Sequence, residues 1–146
     1  MRTTLALSLL VLVTAVAAPP VAAAAPTCAG RTVTVRLGAG QHPTDGNDVI
    51  LGTPGPDVIR AGAGTDYVCG RGGDDELHGA RGADRLYGEL GSDKIFGGPG
   101  NDRLFGGAGG DYTGGNAGFD HCDLGPIEPG NEGDPSCETG NGAPDN

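Results

Sequence analysis

Between Pro43 and Asp123 the apolar residues return on every ninth position: Ile50, Ile59, Val68, Leu77, Leu86, Ile95 and Leu104, with Thr113 and Cys122 in the last two places. An interval of nine matches neither the spacing of an amphipathic helix nor the alternation of a long half-buried strand. Each apolar residue instead centres a triplet such as Arg85-Leu86-Tyr87 or Arg103-Leu104-Phe105. Such a triplet reads as a very short strand whose middle side chain faces one way. The residues before it run Gly-Xaa-Xaa-Gly-Xaa-Asp in most units and suit a tight turn, because glycine accepts positive φ and aspartate bonds its own backbone locally. Turn and strand taken twice make one coil of eighteen residues. Stacked coils enclose the apolar column between two parallel sheets. The pattern predicts an all-β fold, a parallel β-roll (a two-sheet solenoid) of nine nonapeptide repeats over residues 43–124.

The same period fixes the charged positions. An aspartate stands two residues before each apolar centre, at Asp48, Asp57, Asp66, Asp75, Asp84, Asp93, Asp102, Asp111 and Asp120, and a glycine two residues before each aspartate. Stacking sorts the carboxylates into two columns, Asp48, Asp66, Asp84, Asp102 and Asp120 in one and Asp57, Asp75, Asp93 and Asp111 in the other. Neighbours in a column lie about one strand spacing, ~4.8 Å, apart. At that distance like charges repel by roughly 0.9 kcal/mol even in water, and by several-fold more at a protein-like dielectric. The columns therefore call for a cation. Carboxylates with carbonyls exposed by glycine turns form an all-oxygen shell, which suits Ca²⁺; Mg²⁺ demands a stricter octahedron and keeps its waters. Zinc would prefer Cys and His, which do not recur with the period. Nine turns paired one coil apart give up to seven internal sites.

Composition agrees only because the period exists. With 30 glycines and 11 prolines in 146 residues, an aperiodic chain would be read as disordered. The formal net charge of −10 argues against nucleic acid as a partner, since phosphate binding relies on clustered basic residues. The first segment, residues 1–24, has Arg2, an apolar run from Leu5 to Val16 and small residues at Ala22-Ala23-Ala24, and reads as a signal peptide for export to the extracellular space. The run is short for a bilayer span, so no membrane span is expected. Residues 25–42 form an N-terminal cap, in which Thr32-Val33-Thr34-Val35-Arg36-Leu37 alternates well enough for a strand. Residues 125–146 read as an acidic, flexible and disordered tail. The even number of cysteines, Cys28, Cys69, Cys122 and Cys137, suits disulfides in a secreted chain, and three pairings are open. Catalysis is not expected. His42, His78 and His121 are scattered, no nucleophile stands in a recognisable context, and Gly62–Gly70 lacks the lysine of a phosphate cradle.

The units "GGPGNDRLF" (Gly97–Phe105), "GARGADRLY" (Gly79–Tyr87) and "GRGGDDELH" (Gly70–His78) resemble the RTX, or haemolysin-type, calcium-binding nonapeptide. The resemblance implies a parallel β-roll in which the nine aspartates named above and the turn carbonyls bind Ca²⁺. The first unit departs from the motif at Pro43-Thr44, the eighth at Thr113-Gly114 and the ninth at Cys122. The early and late cysteines also resemble those of small Sec-secreted calcium-binding proteins of high-GC bacteria, and that likeness implies the pairings Cys28–Cys69 and Cys122–Cys137. The expected function is a secreted calcium-binding protein whose β-roll folds on Ca²⁺ after export. The alternative is a calcium-stabilised scaffold that binds a cell-envelope glycan or protein, or a second copy of itself, through an outer sheet face.

Overall fold

The apolar triplets do form strands, but most strands run on past the triplet. In this computed structural model, which describes residues 27–126, 129–130, 132–133 and 137–138, an antiparallel pair comes first, β1 (Thr27–Cys28) with β2 (Arg31–Thr32). β3 (Val35–Arg36), a 3-10 turn at Leu37–Ala39 and β4 (Val49–Leu51) follow. Seven strands of six residues come next: β5 (Val58–Ala63), β6 (Tyr67–Gly72), β7 (Glu76–Arg81), β8 (Arg85–Leu90), β9 (Lys94–Pro99), β10 (Arg103–Ala108) and β11 (Tyr112–Ala117). β12 (Asp120–Asp123), β13 (Glu132–Gly133) and β14 (Cys137–Glu138) complete the series.

From β4 onward successive strands alternate between two sheets, as a coil of two nonapeptides requires. One sheet has the order β14-β12-β10-β8-β6-β4-β3 and the other β13-β11-β9-β7-β5, with parallel pairing throughout. The register shifts by eighteen residues at each step through the repeats, so Val68 pairs with Leu86 and Leu86 with Leu104. Ile50, Ile59, Val68, Leu77, Leu86, Ile95 and Leu104 fill the space between the sheets, all essentially inaccessible to solvent. Thr113 takes its turn in the column, also fully buried, and β11 reaches full length despite Thr113 and Gly114.

The six-residue strands differ from the expected triplets for a steric reason. In β8 both Leu86 and Gly88 face inward, and Glu89 then takes φ +78°, which turns the chain through a corner. Pairing lapses at the inward glycine and resumes beyond it, from Tyr87–Phe105 to Glu89–Gly107. Glycine at this place lets the strand pass close to the carboxylate of its own unit before it bends.

The ends hold further departures. The expected cap strand is split into β2 and β3, and only β3 joins the large sheet, with Val35 opposite Ile50. The segment read as a flexible tail contributes β13 and β14, one short strand to each sheet. A disulfide between Cys122 and Cys137 ties β14 to β12, and a second joins Cys28 to Cys69, matching both implied pairings. The segment 1–24 read as a signal peptide, and residues 127–128, 131, 134–136 and 139–146 of the tail, lie outside the described residues.

Candidate metal centre

The turns between strands carry the aspartates, and the stacking predicted from the period is present. Asp66, Asp75, Asp84, Asp93, Asp102, Asp111 and Asp120 are at most 2 % exposed, Asp48 is 6 % exposed and Asp57 is half-buried. Each coil binds the next through these residues. The main-chain N–H of Asp66 donates to Asp84 Oδ1 at 2.8 Å, that of Asp84 to Asp102 Oδ1 at 2.8 Å, and that of Asp102 to Asp120 Oδ1 at 2.8 Å. The other column repeats the contact from Asp57 to Asp75, Asp75 to Asp93 and Asp93 to Asp111. The aspartate carbonyls accept in turn from the following coil, as in Arg85 N–H to Asp66 O at 2.9 Å.

In six of these carboxylates one oxygen is thus accounted for and the other is not. Oδ2 of Asp66, Asp75, Asp84, Asp93, Asp102 and Asp120 is buried and meets no hydrogen-bond donor. A buried polar atom without a partner is costly, and a buried charge more so. The carboxyls register this. Burial raises those of Asp66, Asp93 and Asp102 to about 6, against the pull of the N–H from the preceding coil and with a further push from neighbouring carboxylates. Asp75 and Asp84 are shifted the same way, again chiefly by burial.

Glycine shapes the space around these oxygens. A Cβ at Gly52 would come within 2.8 Å of Asp57 Oδ2, and one at Gly106 within 2.5 Å of Asp111 Oδ2. Gly64, two residues before Asp66, has φ +133°, and a side chain there would meet the Gly46 carbonyl oxygen at 2.6 Å. At Gly82, Gly100 and Gly118 an added Cβ would overlap the carbonyl of the glycine one coil earlier. The turns therefore combine orphaned carboxylate oxygens with close-set main-chain carbonyls.

That donor set fits a hard, oxygen-seeking divalent ion. Among the described residues no three His, Cys, Asp or Glu side chains converge to form a cluster, so carboxylate and main-chain oxygens together would have to complete a coordination shell. Thr44 and Thr53 belong to this neighbourhood although the repeat does not mark them as site residues: each donates to the carboxylate of its own unit. Their signal was present as a β-branched residue four positions before Asp48 and Asp57.

The outer faces carry aromatic ladders. Tyr87 and Phe105 stack at 4.8 Å with their planes nearly parallel at 5°, and the guanidinium groups of Arg31 and Arg85 lie 3.9 and 5.0 Å from the centre of the Tyr67 ring. On the smaller sheet His78 stacks on Phe96 and approaches Glu76 at 2.6 Å, a contact that holds the Glu76 carboxyl below its usual range.

Fold and site together define a parallel β-solenoid whose turns carry two columns of buried carboxylates. The family model for the RTX calcium-binding nonapeptide repeat (4 copies) matches residues 42–77, 78–113 and 87–121, more than half the chain. The chain belongs to this family. No curated protein matches it significantly, and neither does any solved structure.

Proposed function

We propose that the protein is a secreted calcium-binding module whose β-roll folds as Ca²⁺ enters the two carboxylate columns. The observation that carries this reading is the set of buried, unpartnered Oδ2 atoms of Asp66, Asp75, Asp84, Asp93, Asp102 and Asp120. A divalent cation would neutralise the column repulsion and supply the partner that protein donors do not. The residues assigned to the ions are Asp66, Asp75, Asp84, Asp93, Asp102, Asp111 and Asp120 with adjacent turn carbonyls; paired one coil apart these give five sites, and up to seven if the turns of Asp48 and Asp57 take part. Asp48 and Asp57 stand at the column ends. The two disulfides support an oxidising compartment, hence export and extracellular folding. Sites of extracellular modules bind calcium at about 10⁻⁴–10⁻³ M, weakly enough to stay empty in a cytosol. No catalytic role is assigned. The scaffold reading gains little from the outer rings, because Tyr87 and Phe105 turn their faces to each other.

Isothermal calorimetry with a parallel far-UV circular dichroism titration tests the proposal. Several ions bound per chain, with β signal growing as they bind, is the expected result. A full β signal in excess chelator would sink it.

A further inference from the structure

The first two turns of the roll are built differently from those that follow. Asp48 Oδ2 accepts from the main-chain N–H of Thr44 at 2.7 Å and from its hydroxyl at 2.9 Å. Asp57 Oδ2 accepts from the N–H of Thr53 at 2.6 Å and from its hydroxyl at 3.1 Å. The hydroxyl of Thr34 reaches Asp48 Oδ1 at 3.3 Å, the place that a main-chain N–H from the previous coil takes at later aspartates. The carboxylates at the N-terminal end of each column thus have donors where Asp66 or Asp93 has none.

The backbone explains the difference. Four residues before the aspartate, later units adopt a left-handed conformation even where the residue is not glycine, as at Arg71, Ala80, Glu89 and Asn116. Thr44 and Thr53 do not, because a β-branched side chain is strongly disfavoured at positive φ. Gly46 and Gly55 also lack the positive φ of Gly64 and the later turn glycines, and each donates its N–H to the threonine hydroxyl two residues back, at 3.1 and 3.3 Å. The threonine turn presents an N–H and a hydroxyl to the carboxylate. In the left-handed turn that N–H makes no bond to Oδ2.

Resting on the reading of the columns as calcium sites, we propose that Thr44 and Thr53 close the N-terminal end of both columns with the chain's own donors, so that Asp48 and Asp57 ligate no ion and calcium is held only from Asp66 onward. The roll then has a metal-free end against its N-terminal cap.

Native mass spectrometry of the full calcium-loaded chain, as wild type, Asp48→Asn, Asp57→Asn and Asp93→Asn, tests this. Asparagine keeps a carbonyl acceptor for the threonine donors, so the first two variants retain their turn. The expected result is the wild-type number of ions in D48N and D57N, a calcium midpoint within about twofold, and at least one ion lost in D93N. An ion lost from D48N or D57N would overturn the inference alone. A wild type that binds no calcium, or a D93N that loses none, would overturn the calcium reading beneath it. Exchange of La³⁺ for Ca²⁺ in the folded wild type, followed by carboxylate ¹³C shifts, needs no variant. The Asp48 and Asp57 signals are expected to stay in place while that of Asp93 moves; equal movement would overturn the inference.

Discussion

Leu86→Ala probes the apolar column at its centre. Leu86 is fully buried, in register with Val68 on one side and Leu104 on the other. Parallel hydrogen bonding on both flanks holds the spacing of the coils, so the cavity cannot close by sliding them together. Leu-to-Ala changes in cores cost about 2–5 kcal/mol, and a constrained site of this kind falls near 3 kcal/mol. If folding and calcium binding form one step, that loss is shared among the ions taken up. For five to seven ions the calcium midpoint rises roughly two- to threefold, and for a single ion roughly 100-fold, since 1.4 kcal/mol is tenfold. Circular dichroism across a calcium titration of wild type and variant measures the shift, and its size reports how many ions drive folding. A midpoint unchanged in the variant would refute the linkage between this column and the metal.

Four further outcomes are expected. Gly64→Ala, at φ +133° and facing the Gly46 carbonyl, costs on the order of 1–3 kcal/mol, whereas Gly55→Ala, with open space and no positive φ, costs less than about 1 kcal/mol; thermal melts in calcium compare them. In the metal-free protein the carboxyls of Asp66, Asp93 and Asp102, raised to about 6, hold protons that the unfolded chain has released above its ordinary value of 3.8. Stability without calcium is therefore greatest below about pH 4 and falls as pH rises through 6. Chelated protein shows more β signal at pH 4.5 than at 7.5, and a reversed order counts against the buried-carboxylate argument. Cys122→Ser with Cys137→Ser opens a loop of 15 residues' separation and lowers stability by roughly 3 kcal/mol, read by melting in calcium with the other disulfide intact.

The period made the roll legible because it sits in residue types with single uses. Leu86 and its column could only face inward, and an aspartate one coil from another could only face it. What the period hid was backbone geometry inside the unit. The corner at Glu89 is left-handed with a non-glycine residue, so it resembles ordinary strand sequence and the six-residue strands went unread. Thr44 and Thr53 look like departures from the repeat, yet their β-branching selects a different turn and gives the carboxylate its own donors. The strands at Glu132–Gly133 and Cys137–Glu138 have no apolar pattern of their own. They form beside an existing sheet edge, with a disulfide holding one of them in place.

The alternation of sheets limits how such a chain can change length. Removing eighteen residues deletes one whole coil and leaves every survivor in its own sheet. Removing nine would send each later unit to the opposite side. Phe105 would leave the sheet of Tyr87, and Arg103 that of Arg85. Single nonapeptides are interchangeable in sequence but not in place, so gains and losses of length are tolerated in pairs.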